Sequence, residues 1–372
     1  MNEVDISEQK LFDECRDVLH ALLKDHTRTA HELAKAERDG RPAEKDQWNI
    51  IWGTSNYTSL GEDGFGERDE ITEEKITGEN RYLVRPRAIK DKEVQRQRSK
   101  DMAEVFTPGW VCNAQNNLVD EAWFGRPNAF NEEFVDKEGV HRWAATEGEI
   151  VFDEKPSRKS TRSWQDYVKD VRLEITCGEA PYLVSRYDSV TGLPETNLNQ
   201  RVGLLDRKLR VVSENTTTKS DWIDWAKVAV QSVYGFEWQG DNLLLAREAV
   251  LYTVIDYFKA KFPKPADEKF LKGKLMSFAY FISWNLWQMD GLKMVLPYSC
   301  EEAKTVVQDD MFGAASESAS KCPACDSGLM YGHKGVKCLI RDWTKPRDGQ
   351  KIEFEKVFAE GRASRVPEKE GE

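Results

Sequence analysis

Between Ser7 and Arg38, apolar residues recur at three- and four-residue steps (Leu11, Cys15, Val18, Leu19, Leu22, Leu23, Ala30, Leu33, Ala34). That is the spacing of one helical face, and it predicts one or two amphipathic helices packed as a cap on a larger domain. Residues 40–80 lose the period and mix Gly, Asp and Glu with Trp48, Trp52 and Tyr57, which predicts a loop-rich connector with anchored aromatics. From Asp101 to Pro297, short β-like runs alternate with helical patterns, as in the crossover units of a mostly parallel sheet. Strands are predicted over Val171–Thr176, Ser232–Glu237 and Phe281–Gln288, and a helical hairpin around Val202–Val212 and Trp222–Val230. The apolar content of Gly240–Lys261 predicts a helix buried against the sheet. Beyond Cys300 the pattern gives a Ser- and Ala-rich linker (Gly313–Ser320), a Cys/His cluster and a strand over Lys351–Phe358, with a disordered tail from Gly361.

These patterns divide the chain into an N-terminal helical and linker region (1–100), an α/β domain (101–300), a linker with a small Cys/His element (301–345), and a C-terminal strand and tail (346–372). At 372 residues with 40% hydrophobic content, the chain can bury a sizeable core. It has no apolar run of about 18 residues, and Met1–Lys10 is polar and acidic, so a cytoplasmic protein with no membrane segment is expected. The net charge of −11 argues against a chain that coats nucleic acid by itself. The charge is uneven, however: residues 60–80 are acidic, whereas Arg81–Lys100 and Lys155–Arg162 are basic and are candidate phosphate contacts.

Three strand ends carry chemistry. Val171–Thr176 runs into the small-residue turn Cys177-Gly178-Glu179-Ala180, where backbone can approach a ligand at the carboxyl end of a parallel strand. The second strand closes on Glu237, placed to accept hydrogen bonds from two ribose hydroxyls, and the third ends at Asp290-Gly291, where a carboxylate can accept a proton from an adenine amino group. Separately, Cys322-Pro-Ala-Cys325 with His333 and Cys338 gives a C-x2-C, H-x4-C pattern compatible with a structural tetrahedral zinc ion. The remaining cysteines are scattered, and reduced thiols are expected.

Ahead of these elements stands Ala103-Glu-Val-Phe-Thr-Pro-Gly-Trp-Val, which resembles the Phe-Thr-Pro segment that opens adenine-N6 DNA methyltransferases, including type I and type IIG modification subunits. The resemblance covers roughly residues 98–300 and follows the family's order: Phe-Thr-Pro, an acidic strand end and glycine loop, a ribose-binding acid, then an adenine-binding Asp. It implies a Rossmann-like class I methyltransferase sheet and an S-adenosylmethionine site. In that site Phe106, Thr107 and Pro108 border the methionine moiety, Glu174, Thr176, Cys177 and Gly178 line the amino-acid and sulfonium end, Glu237 holds the ribose with Trp238 beside it, and Asp290 holds the adenine.

Three features depart from the family, one of them the nearly sixty residues that separate the glycine loop from Glu237. The loop reads Thr-Cys-Gly-Glu-Ala-Pro in place of Gly-x-Gly, and the Asn/Asp-Pro-Pro-Tyr/Phe tetrapeptide that grips a flipped adenine is missing from all 372 residues. The nearest string, Val295-Leu-Pro-Tyr298, starts with a valine that cannot accept the amino proton, and is read as a loop. The expectation is therefore the donor-binding subunit of a DNA adenine-N6 methyltransferase in a restriction-modification or phage-defence system. A second subunit would supply the tetrapeptide and target recognition, and double-stranded DNA would be bound through the complex. Two alternatives stay open: a catalytically silent scaffold or regulator of a DNA-defence complex, and an RNA or protein methyltransferase with an atypical catalytic loop.

Overall fold

The computed structural model describes residues 8–61, 63–90, 107–152, 162–188, 190–302, 305–308, 315–318, 322–346 and 348–357. In chain order the helices are α1 (Glu8–Leu23), α2 (His26–Arg38), α3 (Glu73–Ile76), α4 (Gly109–Phe124), α5 (Trp164–Lys169), α6 (Leu204–Asn215), α7 (Lys219–Gln231), α8 (Gly240–Lys261), α9 (Pro265–Lys272), α10 (Leu275–Asn285), α11 (Ser299–Glu302) and α12 (Pro323–Asp326). The strands are β1 (Asn131–Val135), β2 (His141–Ala145), β3 (Arg172–Glu174), β4 (Val233–Glu237), β5 (Leu286–Gln288), β6 (Thr305–Gln308), β7 (Ala315–Ser318), β8 (Leu339–Asp342) and β9 (Gln350–Glu353).

The fold is mixed α/β, with small sheets. Strands β3, β4 and β5 form one three-stranded sheet in that order, with β4 in the centre; β1 with β2, β6 with β7 and β8 with β9 are two-stranded. β3 and β4 are parallel, with Arg172 opposite Val233 and Glu174 opposite Gly235. Gly235 is required at that point, because a Cβ there would lie 2.8 Å from the Leu286 side chain and 3.1 Å from the Cys177 sulfur.

The described chain divides into two compact units that interleave along the sequence. The first comprises residues 1–23, 72–235 and 241–286; the second comprises residues 24–71, 236–240 and 287–372. In the first unit α8 carries the core: Leu243, Leu244, Ala246, Ala249, Val250 and Val254 are all buried, and the helix keeps the bounds its apolar run predicts. Buried charge is organised around α6. The Arg207 guanidinium reaches Asp120 of α4 at 2.6 Å and Asn113 at 2.9 Å, while Tyr167 of α5 donates to the same Asp120 at 2.9 Å. The neighbouring Lys208 ammonium donates to the Val168 carbonyl at 3.1 Å and the Ser232 hydroxyl at 2.6 Å. Burial drives its pKa well down, so partners rather than water must hold it.

The third predicted strand is mostly a helix. Residues 275–285 form α10 and only Leu286–Gln288 are extended. Leu275, Phe278, Ala279, Ile282 and Ser283 are buried at helical spacing and the helix packs on α1, so the periodicity outweighs the aromatic content that suggests a strand. The Ser- and Ala-rich stretch is likewise not all linker: β7 pairs antiparallel with β6, Thr305 opposite Ser318, because a Thr-Val-Val run favours extended backbone. The C-terminal strand is shorter than expected, and the tail from Gly361 lies outside the described residues.

The second unit is loop-rich and is stitched together by one amide. Gln288 accepts from the Ile51 N–H at 2.9 Å and donates to the Ile51 carbonyl at 2.8 Å and the Trp238 carbonyl at 2.7 Å. Gly240 allows this approach, since a Cβ there would meet the Ile51 carbonyl oxygen at 2.0 Å. Replacing Gln288 with Leu removes all three bonds and leaves buried backbone groups unsatisfied; it should cost about 2–4 kcal/mol in urea unfolding.

A second stability test comes from Glu8 and Glu248, a pair of buried carboxyls in the first unit. Burial raises the Glu8 carboxyl to about 8, and burial with the Glu8 charge raises that of Glu248. The stability of the protonated pair is fully present below the unfolded value of 4.5 and is lost as pH rises through about 8. Urea midpoints measured at pH 5 and pH 8.5 should therefore converge in Glu248→Gln, with the pH 8.5 midpoint rising.

Candidate metal centre and strand-end acids

Within the second unit, Cys300, Cys322, Cys325 and His333 bring one donor atom each to a common point, all four lying within 4.8 Å of one another. The local sequence explains each placement. Cys322 is the N-cap of α12 and Pro323 its first residue, so one helical turn delivers the Cys322 and Cys325 sulfurs to the same side. His333 pairs its Nε2 with the Leu329 carbonyl at 2.7 Å, which turns Nδ1 toward the sulfurs of Cys325 at 3.4 Å and Cys322 at 3.7 Å. A carbonyl on the far nitrogen is the usual way to fix the tautomer of a ligating histidine. α11 supplies Cys300, and Gly335 lets the His333 loop pass over it: a Cβ on Gly335 would fall 2.8 Å from the Cys300 sulfur.

Electrostatics separate the thiols. Burial pushes the Cys322 thiol up, but N–H groups of Lys334, Cys325 and Ala324, together with His333, outweigh it and bring the thiol down to about 6. The Lys334 N–H lies 3.3 Å from that sulfur. Burial drives the Cys300 thiol up to about 11, against the Gly335 backbone. A low-pKa thiolate that already accepts backbone N–H bonds, joined by two further sulfurs and an oriented imidazole, is a donor set that can hold a soft divalent metal ion.

The fourth ligand differs from the one the spacing suggests. Cys338 is fully buried and its thiol faces the Gln288 carbonyl at 3.6 Å, outside the cluster, and burial raises its pKa well above the usual thiol range. Cys300 takes its place. Its distance from Cys322 along the chain hides it from a spacing argument; proximity arises because Leu296 N–H donates to the Val336 carbonyl at 2.9 Å and Val336 N–H to the Ser299 hydroxyl at 3.0 Å.

The strand-end acids fall in both units. In the first, Glu174 ends β3 and accepts from the N–H groups of Tyr182 at 3.2 Å and Leu183 at 3.1 Å. It lines a cavity of about 350 Å³ with Asn116, Tyr182 and Leu204. The Tyr182 hydroxyl bonds the Thr107 side chain, which places the Thr107-Pro108 entry to α4 beside this wall. Thr176 (φ +46°) and Gly178 (φ +54°) make the turn after β3, and Cys177 between them is buried. Phe106 lies outside the described residues, as do residues 91–100 and 155–161 of the basic runs.

In the second unit, Glu237 at the tip of β4 and Asp290 just past β5 end neighbouring strands, with Met289 N–H donating to the Glu237 carbonyl at 3.0 Å. Glu237 accepts from the Gln239 N–H at 3.1 Å. Asp290 accepts from the N–H groups of Leu292 and Lys293, both at 3.1 Å, and pairs with the Lys293 ammonium at 3.2 Å. Trp238 donates its indole N–H to the Gly53 carbonyl at 2.9 Å and meets the Tyr298 ring edge-on at 5.2 Å. Tyr298, in the Val295–Tyr298 string, takes φ +64° and lies under the Arg68 guanidinium at 4.5 Å.

No protein-family model, curated protein or solved structure matches the chain. No helix among the described residues is long and apolar enough to cross a membrane.

The ligand set makes an asymmetric prediction. Cys300→Ser should weaken metal affinity at least about tenfold, whereas Cys338→Ser should leave it unchanged. Competition against a chromophoric chelator, with metal content by mass spectrometry, reads both; equal effects would reject the set.

Proposed function

We propose that the chain is the S-adenosylmethionine-binding subunit of an adenine-N6 DNA methyltransferase in a restriction-modification or phage-defence system. The observation that carries this reading is the pair of buried acids, Glu237 and Asp290, at the tips of adjoining strands of one sheet. A nucleoside offers a cis-diol and an exocyclic amine, both donors, and two neighbouring carboxylates are their natural acceptors. In this proposal Glu237 holds the ribose hydroxyls, with Trp238 beside it, and Asp290 takes the adenine amine. By the family resemblance, Phe106, Thr107, Pro108, Glu174, Thr176, Cys177 and Gly178 serve the methionine end. The Rossmann-like identity of the β3–β4–β5 sheet belongs to the same proposal, supported by the parallel β3–β4 pair and by α8 directly after the ribose acid.

The bound donor supplies an electrophilic methyl group; the residues named here bind and orient it. None of them can present the target base, because no Asn/Asp-Pro-Pro-Tyr/Phe tetrapeptide occurs in the sequence. We assign that part, with target recognition, to a partner subunit, through which double-stranded DNA is engaged. The metal we assign to Cys300, Cys322, Cys325 and His333 is zinc: three thiolates and one imidazole are a closed structural set with no open position for catalysis.

Calorimetry tests the donor reading directly. The purified chain should bind S-adenosylmethionine, and Glu237→Ala should weaken it at least about tenfold while unfolding at the same urea concentration. Tritium transfer to DNA should appear only when the partner subunit is added. No donor binding by the wild-type chain would overturn the reading, and transfer by the chain alone would overturn the division of labour.

A further inference from the structure

The four donors of the thiol–imidazole cluster are unequally shielded. Cys300, Cys322 and His333 are buried, whereas Cys325 is exposed. A metal site that only braces a fold gains from hiding its sulfurs, because the oxidation of a thiolate follows its access to solvent. Here the accessible sulfur has a second one beside it in the same Cys-x-x-Cys turn. Cys322 caps α12 and Cys325 lies three residues on, and all four donor atoms lie within 4.8 Å of one another. Helix geometry puts Cα atoms three residues apart at about 5 Å, inside the span of roughly 4.4–6.8 Å that a disulfide bridges. The Cys322 and Cys325 sulfurs can therefore close by side-chain rotation.

Cys300 is less suited to be the second member. It is buried on α11, and the His333 loop passes so close that a Cβ on Gly335 would fall 2.8 Å from its sulfur. Cys322 is held next to Cys325 instead, its sulfur accepting the Lys334 N–H at 3.3 Å. As metal ligands both members of the pair are thiolates, the form that attacks an oxidant or another sulfur.

We propose that Cys322 and Cys325 are an oxidant-sensing pair: a hydroperoxide reaches Cys325, the two cysteines close a disulfide, and the metal is released. The Cys325 sulfur attacks one peroxide oxygen; the O–O bond breaks, leaving a sulfenic acid on Cys325 and expelling hydroxide. The Cys322 thiolate then attacks the Cys325 sulfur, so that the S–S bond forms, the S–O bond breaks and a second hydroxide leaves. Two protons from solvent turn both hydroxides into water, and the two electrons lost by the sulfurs reduce the peroxide. Cys300 and His333 remain, two donors where tetrahedral zinc takes four. The pairing between their loops then loses its pin. Cys338 N–H donates to the Met294 carbonyl at 3.3 Å, Leu296 N–H to the Val336 carbonyl at 2.9 Å and Val336 N–H to the Ser299 hydroxyl at 3.0 Å. Metal holds Cys300 beside one strand of this pairing and His333 beside the other, and its loss loosens both. The proposal rests on the metal set assigned above, and no step in it involves S-adenosylmethionine.

The test adds hydrogen peroxide to the zinc-loaded full chain while a chromophoric chelator reports free zinc and peptide mass spectrometry locates disulfides. Zinc should appear in step with a Cys322–Cys325 disulfide, and dithiothreitol with added zinc should restore the loaded protein. Amide hydrogen exchange over residues 294–300 and 333–338 should quicken on oxidation and slow again on reduction. Cys325→His supplies a fourth ligand but no disulfide, and should release zinc to peroxide at least about tenfold more slowly than the wild type. Should that variant fail to fold, disulfide mapping on the wild type decides the pairing by itself. Cys338→Ser should respond as the wild type does. A disulfide between Cys300 and Cys325, or over-oxidation of Cys325 without any disulfide, would overturn the pair. Zinc retained by the oxidised protein, or exchange unchanged after its release, would overturn the switch. Metal content before peroxide reads the ligand set separately: a chain that forms the disulfide yet never held zinc would reject that set and the release step with it.

Discussion

The second unit depends on the carboxamide of Gln288. This unit is assembled from three separate stretches of chain, and that one side chain bonds backbone in two of them from its own place in the third. Few regular ladders serve these segments, so their backbone polar groups need other partners if they are to be buried. A glutamine suits the task because it offers an acceptor and two donors on a short, flat group. Gly53 and Gly240 keep the space open: a Cβ at Gly53 would sit 2.6 Å from the Trp238 carbonyl oxygen. The same junction fixes Trp238 and, through its neighbour, the Glu237 end of β4.

A unit with so little sheet or helix gains from a second cross-link, and the thiol–imidazole cluster is a donor set that could provide one by holding a metal ion. Binding energy at such a site counts directly toward folding, because the ligands converge only in the folded state. Here they tie α11 to α12 and to the His333 loop, segments with short hairpin pairings and few long helices around them. Ser299 and Lys334, next to Cys300 and His333, line a cleft together with Arg28, His31 and Lys35 of α2.

What was legible in the sequence was whatever depends on local period. α1, α2, α6, α7 and α8 follow apolar spacing that a single helix face imposes, and β3 and β4 follow short runs ending in an acid. α10 resembles a strand in composition because Phe278, Tyr280, Phe281 and Trp284 are strand-favouring residues, yet its buried positions, Leu275, Phe278, Ala279 and Ile282, follow the 3.6-residue period. Cys322, Cys325 and His333 were legible because one knuckle and one loop bring them together. Cys300 was not, because its approach depends on backbone bonds to Val336 and on the missing side chain of Gly335, neither of which leaves a spacing signature. Cys338 had the right spacing, but its thiol points to the Gln288 carbonyl.

The acids at the strand ends raise a last question of chemistry, since Glu174 and Asp290 each already accept two backbone N–H bonds. Such bonds lock the rotamer. They do not exhaust the group: a carboxylate has about four acceptor sites. For Asp290, both backbone donors and the Lys293 ammonium come from the turn that immediately follows, which leaves its orientation set by local sequence before any ligand arrives. A carboxylate fixed in this way loses little side-chain entropy on meeting a second donor. The turn-forming role of Asp290 is thus compatible with the nucleoside-binding role proposed for it.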